Sequence, residues 1–293
     1  MRRFFGLAGF AAAAFILTLA PGGVWAALLM VNLRTGAAIP WAVPVALGLL
    51  WLAWRYAGGA GWPRKTSHAR RQYRRANGVP AATFAWALAA NGLAITALAG
   101  LWIVLFQLVK APGNHLPDFS SYPPLVVALV LGCAAIVGAV SEEVGLRGYL
   151  QGRFEQIMPG PQAIALMALV ASSGHALTQG FVWPTLLFYL VTDAAYGLTA
   201  YLTRSILPGI LAHAAGLLAF FAWVWPHDPA RRLVWAGGAD AWFWAHAFQA
   251  LVFGALAAWA FVRLAKTASR EMGALPATDP NPSIPRGVSP SRP

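Results

Sequence analysis

The sequence predicts an all-α, polytopic membrane protein with about eight transmembrane helices in one bundle. Its 293 residues are 59% hydrophobic and only 10% charged, whereas soluble domains typically carry about 25% charged residues. The apolar residues also occur in runs long enough for spanning helices, which need roughly 20 of them. Lipid must therefore solvate most of the chain, and this excludes the soluble classes of protein.

Eight apolar segments account for these helices. The first also has the basic start and apolar centre of a signal peptide, but the seven segments that follow it favour an uncleaved signal-anchor. The third is long enough that it must tilt or protrude. Residues 143–156 are less apolar than a normal span, so we expect them to carry the fourth helix out to the surface. The predicted spans are residues 4–31, 37–57, 80–109, 124–156, 161–179, 181–203, 205–225 and 241–262.

The chain divides into four regions along its length. Residues 1–123 hold three helices and a basic cytoplasmic loop at 62–78, and residues 124–225 hold the four helices that carry most of the polar interruptions. Residues 226–266 hold the last helix. Residues 267–293 are rich in Pro, Ser and charge, and they are expected to form a disordered cytoplasmic tail.

Lysine and arginine set the predicted orientation in the membrane. With the amino terminus in the cytoplasm and eight alternating spans, all but four of the 21 Lys and Arg residues fall on the cytoplasmic side. Both termini are then cytoplasmic, and we expect the protein in the inner (plasma) membrane. The four exceptions are Arg34, Lys110, Arg231 and Arg232.

The net charge of +12 makes nucleic acid a partner to consider. The positive residues flank apolar segments instead of forming an aromatic-rich soluble face, so we expect no nucleic-acid partner. The densest cluster, RKTSHARRQYRR at 64–75, could bind anionic lipid headgroups or simply hold its loop in the cytoplasm. The single cysteine, Cys133, lies in an apolar run and is expected to be a small buried hydrophobe.

Ionisable side chains inside apolar helices are costly and mark functional sites. Glu142 and His175 lie about 14 residues on either side of one predicted turn, so each is about 21 Å from it. Asp193 and His213 flank the next turn on that side, at about 16 and 14 Å. A carboxylate and two histidines from three helices can therefore occupy one layer, as expected for a hydrolytic site.

Helical geometry separates the two adjacent glutamates. Neighbouring residues of a helix project about 100° apart, so Glu142 and Glu143 cannot both face one cavity squarely. Glu143 and Arg147 are four residues apart in the favourable order for an ion pair. This pairing leaves Glu142 without a local cation and available as a general base. The alternative is a salt bridge that only fixes helix packing, and it is strongest for Glu143 with Arg147.

The other polar residues each allow two interpretations. His175 or His213 alone could be a packing residue, and the small residues around His175 allow close approach of helices. Asp193 could orient a histidine, pair with Arg147 or fill a local polar gap. His246 lies among tryptophans near the outer end of its helix, so we expect it to be interfacial.

Three motifs together resemble those of the CPBP family. They are Glu142-Glu143-x-x-x-Arg147-Gly148, a histidine about 30 residues later, and RSILPGILAH ending at His213. The family comprises the CAAX protease (type II CAAX prenyl endopeptidase) and bacteriocin-processing membrane proteins, also called Abi proteins. The resemblance covers residues 124–220, and RGYLQGRF after the first motif adds to its specificity. It implies an intramembrane endopeptidase that acts on a hydrophobic or membrane-associated peptide, with its site open to the cytosol.

The resemblance also implies a role for each matched residue. Glu142 would activate the attacking water with help from His175, and His213 would stabilise the oxyanion of the tetrahedral intermediate. Glu143 and Arg147 would shape the site. Asp193 and Gln179 are candidate auxiliary residues.

Two positions depart from the family pattern. The second motif usually has Phe where this chain has Ala171, and the third usually continues to Asn where it has Leu217. Losing one oxyanion donor typically costs about 100- to 1000-fold in rate. Gln179, Thr178 or Ser173 could replace the missing donor. Otherwise the chain is a weak or inactive member that serves as a membrane scaffold, an immunity protein or a transporter-like protein.

The chain also allows two interpretations of cofactor content. It lacks the His-Glu-x-x-His motif of zinc proteases, yet two histidines and a glutamate could hold zinc with an open water position. Because Glu142 could act as the base directly, the sequence favours a site without a cofactor, with zinc as the alternative.

Overall fold

The computed structural model describes residues 2–34, 39–109, 119, 122–226 and 231–273. Helices make up this part of the chain, and none of its residues forms a strand. The helices are α1 Arg2–Arg34, α2 Ala42–Ala57, α3 Ser67–Arg74, α4 Ala81–Leu108, α5 Pro124–Phe154, α6 Gly160–Gln179, α7 Trp183–Thr203, α8 Leu207–Val224 and α9 Ala241–Gly273. The prediction of an all-α polytopic membrane protein is confirmed.

The membrane spans among the described helices are fewer than the sequence predicted. Each of the eight predicted spans coincides with one of the long helices, but five helices in the described part are long and apolar enough to cross a membrane. These are α1, α4, α5, α8 and α9. Helix α2 is apolar but has only 16 residues, and polar side chains interrupt α6 and α7. The predicted count of eight is therefore not confirmed.

Proline begins the helices that carry the polar residues. Each of α5, α6, α7 and α8 has a proline at its first or second position, where the missing N–H is not needed and the ring presets the backbone angle. Residues with positive φ end two of them, Gly180 after α6 and Arg204 after α7. Arg204 has the left-handed helical conformation that commonly ends helices, and Gly180 has a positive φ that favours glycine.

Helices α4 and α9 form the closest pair. A Cβ on Gly100 of α4 would lie only 2.7 Å from the carbonyl oxygen of His246 on α9, so the backbones meet directly there. At the other end of the pair, Thr83 N and Oγ1 donate to Glu271 Oε2 at 3.1 and 2.6 Å.

The carboxyl end of α9 corrects one boundary. The tail was predicted to be disordered from residue 267, but α9 continues to Gly273. Leu264 and Ala268 are buried, and Glu271 binds the start of α4, so packing extends the helix beyond its apolar stretch. Residues 274–293 of the predicted tail lie outside the described residues.

The segment from Gly58 to Pro80, which we call the basic loop, docks at one end of the bundle. Arg75 donates to the carbonyl oxygens of Arg147 in α5 and Ala200 in α7, at 3.4 and 3.0 Å. Asn77 Nδ2 donates to Arg204 O at 2.8 Å, and Ser205 Oγ donates to Asn77 O at 2.7 Å. The basic loop therefore lies against the carboxyl end of α5 and the turn between α7 and α8.

Candidate active site

Helix α5 changes its winding where the first motif begins. Its α-helical part ends at Glu142, and Glu143–Gln151 is π-helical and buried throughout. Helices with this wider turn are rare, and they occur frequently at functional sites. Gly145 and Gly148 have no side chains, so neighbouring segments can approach the helix closely here. A Cβ added to Gly145 would lie 2.7 Å from Ala14 O, and one added to Gly148 would lie 2.7 Å from Tyr73 O.

Arg147 is the cation at the centre of the site. Its guanidinium is fully buried and donates a hydrogen bond from Nη2 to Asp193 Oδ1. The glutamates are farther away, with Glu143 Oε1 at 3.6 Å from Nε and Glu142 Oε2 at 3.9 Å from Nη1. The expected ion pair of Glu143 with Arg147 is present, and so is the pairing of Asp193 with Arg147, one of the three roles considered for Asp193. The expectation that Glu142 has no local cation is wrong, because three carboxylates surround Arg147 and Asp193 holds it most closely.

Glu143 makes its shortest polar contact on α8. Its Oε1 lies 3.2 Å from His213 Nδ1. Its Oε2 lies against Gly209, where an added Cβ would be only 2.5 Å away. Glycine at this position lets α8 approach the buried carboxylate closely.

Glu142 faces both histidines. Its Oε2 lies 3.8 Å from His175 Nε2 and 3.7 Å from His213 Nε2. Its side chain is 21% exposed, whereas that of Glu143 is fully buried. The helix rotation that separates the two glutamates thus directs one toward the open space and the other into the protein.

Two tyrosines of α7 stack on the histidine rings. Tyr189 stacks on His175 with centroids 3.9 Å apart, and Tyr196 stacks on His213 at 4.5 Å. The sequence did not lead us to expect either tyrosine in the site. Their spacing was a usable signal, because Tyr189, Asp193 and Tyr196 follow the i, i+4, i+7 pattern of one helix face.

A cavity of about 190 Å³ joins these groups. Its lining includes Glu142, His175, Gln179, Asp193, Tyr196 and His213. Glu143 and Arg147 lie behind this wall. The structure thus brings six of the eight polar residues of the site to one surface and places the other two in contact with them.

The positions that depart from the family pattern differ in their surroundings. Leu217, where Asn is usual, lines the cavity, and its Cδ1 lies 3.2 Å from the position of a Cβ on Gly138 of α5. Ala171, where Phe is usual, is buried in the core with Met167 and Ile206. Only the first departure changes the chemistry of the cavity wall.

The three expected replacements for the missing Asn have different positions. Gln179 lines the cavity, and its Oε1 accepts a hydrogen bond from Tyr189 Oη at 2.7 Å. Ser173 instead donates to the carbonyl oxygen of Leu169 on its own helix at 2.9 Å, away from the cavity lining. The side chain of Thr178 lies outside the described residues. His246 contacts the carbonyl oxygen of Trp242 and is not among the residues that line the cavity.

One group of side chains could hold a metal ion. A ligand atom from each of Glu142, His175 and Asp193 lies within 4.8 Å of the others. The donor types suit zinc. However, Asp193 accepts the hydrogen bond of Arg147, and this guanidinium also lies 3.9 Å from Glu142. A fixed positive charge between two of the three ligands opposes a divalent cation, so these residues fit zinc poorly as they are arranged.

The fold and the site together define a class of protein. The chain is a multi-pass membrane protein whose buried helices bring carboxylates and histidines to an internal cavity.

Comparison with known families gives a more specific similarity for the part of the chain that carries the site. Residues 124–217 match the family model of the Rce1-like, type II CAAX prenyl endopeptidases. The predicted resemblance to this family is therefore confirmed over residues 124–217. Comparisons with curated proteins and with solved structures found no match.

Proposed function

We propose that the protein hydrolyses a peptide bond in a hydrophobic or membrane-associated peptide, with a water molecule activated by Glu142. One observation carries the proposal: Glu142 Oε2 lies within 3.8 Å of Nε2 of both His175 and His213, at the wall of the cavity. Each of these separations exceeds a hydrogen bond and suits a water molecule that bridges the carboxylate and a ring nitrogen.

The reaction would use Glu142 twice. As general base it takes a proton from water while the oxygen attacks the peptide carbonyl. As general acid it then gives this proton to the departing nitrogen, and the C–N bond breaks to leave a carboxylic acid and an amine. His175, held by its stack with Tyr189, would orient the water.

His213 would stabilise the negative oxygen of the tetrahedral intermediate. Its Nδ1 faces Glu143 Oε1 at 3.2 Å, so Nδ1 donates to this carboxylate and Nε2 faces the cavity. To donate from Nε2 as well, the ring must be an imidazolium. The buried carboxylate of Glu143 supports that charge, as a carboxylate does for the histidine of a catalytic triad.

The cavity supplies further donors in place of the usual Asn. Tyr196 and Gln179 both line it, and a hydroxyl or an amide can donate to an oxyanion. Leu217 reduces this set by one donor. The proposed enzyme is therefore expected to be slower than a family member with the Asn.

We assign the end of the bundle that holds the basic loop to the cytoplasmic side of the membrane. This end collects the cations of the basic loop, and the carboxyl end of α9 meets the start of α4 there. The positive-inside rule places such an end in the cytoplasm. A substrate would then be cleaved near its cytoplasmic or membrane-proximal end, and a prenylated peptide is one substrate of this kind.

A scaffold or immunity function is the second candidate. Its support is Leu217, which places an apolar side chain in the cavity wall where the family pattern has a hydrogen-bonding group. In that case the carboxylates and histidines would serve packing only.

Cleavage by purified protein separates the two candidates. Wild type and Glu142→Gln would be incubated with a library of hydrophobic peptides in detergent, and the products mapped by mass spectrometry. We expect wild type to cleave and Glu142→Gln to lose at least about 100-fold in rate. Asp240→Asn, which removes one exposed carboxylate remote from the site, is the matched control. Equal cleavage by wild type and Glu142→Gln would refute the mechanism, and no cleavage by wild type would favour the scaffold.

A further inference from the structure

The basic loop divides its cations into two sets. From Gly58 to Pro80 it contains six Lys or Arg residues and no Asp or Glu. One set binds the protein itself. Arg70 is buried and donates to the carbonyl oxygens of Tyr56, Ala60, Gly61 and Pro63. Arg74 lies over the ring of Trp54, and Arg75 pairs with Glu155 at 3.1 Å.

The other set faces outward. Arg64, Lys65 and Arg71 are exposed, as is His68. The structure records no ion pair for these side chains among the residues it describes. Membrane orientation alone does not require exposed cations in the loop, because the buried arginines would suffice to keep the loop in the cytoplasm.

Helix α3 has two distinct faces. His68 and Arg71 lie three residues apart on its exposed face. Arg70 and Tyr73, also three apart, are buried on the opposite face. Tyr73 contacts the ring of Tyr149 at 5.8 Å, and its hydroxyl donates to Gln156 Oε1. The buried face is therefore fixed to α5, and the basic face is held in one orientation.

An exposed tryptophan adjoins this basic face. Trp62 is 86% exposed, two residues before Arg64. Tryptophan is enriched at membrane–water interfaces, and a cluster of Lys and Arg next to a spanning helix attracts anionic lipids. The exposed tryptophan beside the cations favours anionic lipid over an acidic soluble protein as the ligand of this surface. Binding of a soluble protein would not require a residue typical of the membrane interface.

We propose that Trp62, Arg64, Lys65, His68 and Arg71 form a binding site for the headgroups of anionic phospholipids. The cations and the imidazole bind the phosphate, and Trp62 inserts at the level of the headgroups. Because the opposite face of the loop contacts Arg147 and Gly148, bound lipid would hold the π-helical part of α5 in place. The lipid site itself does not depend on the proposed peptidase activity.

Lipid selectivity in proteoliposomes tests the site directly. The full chain would be reconstituted in phosphatidylcholine, and electron paramagnetic resonance would compare the association of spin-labelled phosphatidylglycerol with that of spin-labelled phosphatidylcholine. The variant replaces Arg64, Lys65 and Arg71 with Gln. The matched control replaces Arg263, Lys266 and Arg270 with Gln, which removes the same number of exposed charges from α9.

We expect wild type to prefer phosphatidylglycerol and the loop variant to lose at least about fivefold of this preference, since each cation near the surface contributes about that factor. The α9 control removes three cations that are not part of the proposed site, so it should lose clearly less of the preference than the loop variant. Equal losses in both variants, or none in the loop variant, would overturn the proposal. Displacement of the labelled lipid by soluble polyglutamate would assign the surface to an acidic polypeptide instead. If the triple variant cannot be purified, Arg71→Gln against Arg270→Gln gives the same comparison.

Discussion

Glu143 Oε1 lies 3.2 Å from Nδ1 of His213, and this contact joins α5 to α8 behind the wall of the cavity. The carboxylate is fully buried, and Arg147 Nε lies 3.6 Å from the same oxygen. Glu143 is thus a positioning residue: it holds His213 from behind while Glu142 faces the open space.

Replacing Glu143 with glutamine tests this positioning role. Glu143→Gln keeps the shape and one acceptor but removes the charge that supports an imidazolium, so kcat should fall about 100-fold or more with little change in KM. The measurement is steady-state kinetics on a peptide that wild type cleaves. An unchanged kcat with a lower melting temperature would show that Glu143 serves only stability.

The Arg147–Asp193 pair should dominate the stability of the site. Both side chains are buried, and removing one partner of a buried ion pair costs about 3–5 kcal/mol because the other charge stays buried. We expect Arg147→Met and Asp193→Leu each to cost about this much in denaturant unfolding. The free energy of unfolding of the double variant should fall by less than the sum of the two single losses. A strictly additive double variant would show that the two residues do not interact.

Gly209 should tolerate no side chain. An alanine Cβ would lie 2.5 Å from Glu143 Oε2, so α8 or the carboxylate must shift, at a cost of about 1–3 kcal/mol. Gly132→Ala on α5 is the control, because a Cβ there meets nothing within 4 Å and alanine favours helix. Melting temperatures in detergent should fall for the first variant only. Equal melting temperatures would mean that the contact is easily relieved.

Leu217→Asn should restore a donor to the cavity wall. Since one oxyanion donor is worth about 100- to 1000-fold in rate, we expect cleavage to rise at least about tenfold. Leu218→Asn adds the same group at a neighbouring exposed position and should leave the rate unchanged. A rate that rises in neither variant would mean that Tyr196 or Gln179 already fills the role.

The contacts of Arg75 should make it important for the stability of the folded protein. It pairs with Glu155 and donates to backbone carbonyls of two helices. Hydrogen bonds from a charged group contribute about 1.5–3 kcal/mol, so Arg75→Gln should lower the free energy of unfolding by at least about that amount. Arg71→Gln, on the exposed face, should change it by no more than about 0.5 kcal/mol. Similar effects of both substitutions would contradict this division of the loop.

Much of the fold could be predicted because helices and apolar runs are local features. Composition and run length predicted an all-α membrane protein, and each long helix lies where a span was expected. The predicted helix ends were wrong where contacts with residues distant in the sequence determine where a helix ends. The carboxyl end of α9 continues to Gly273 because Glu271 binds Thr83, and no local pattern reveals a partner so far along the chain.

The sequence by itself determined the height of each polar residue along its helix, because rise per residue is fixed. This is why Glu142, His175 and His213 could be expected in one layer. It did not determine how each helix is rotated against its neighbours. Only the tertiary structure directs Asp193 rather than Glu143 toward the Arg147 hydrogen bond, stacks Tyr189 and Tyr196 on the histidines, and turns Leu217 into the cavity. Rotation depends on contacts between side chains of different helices, and spacing within one helix does not encode these contacts.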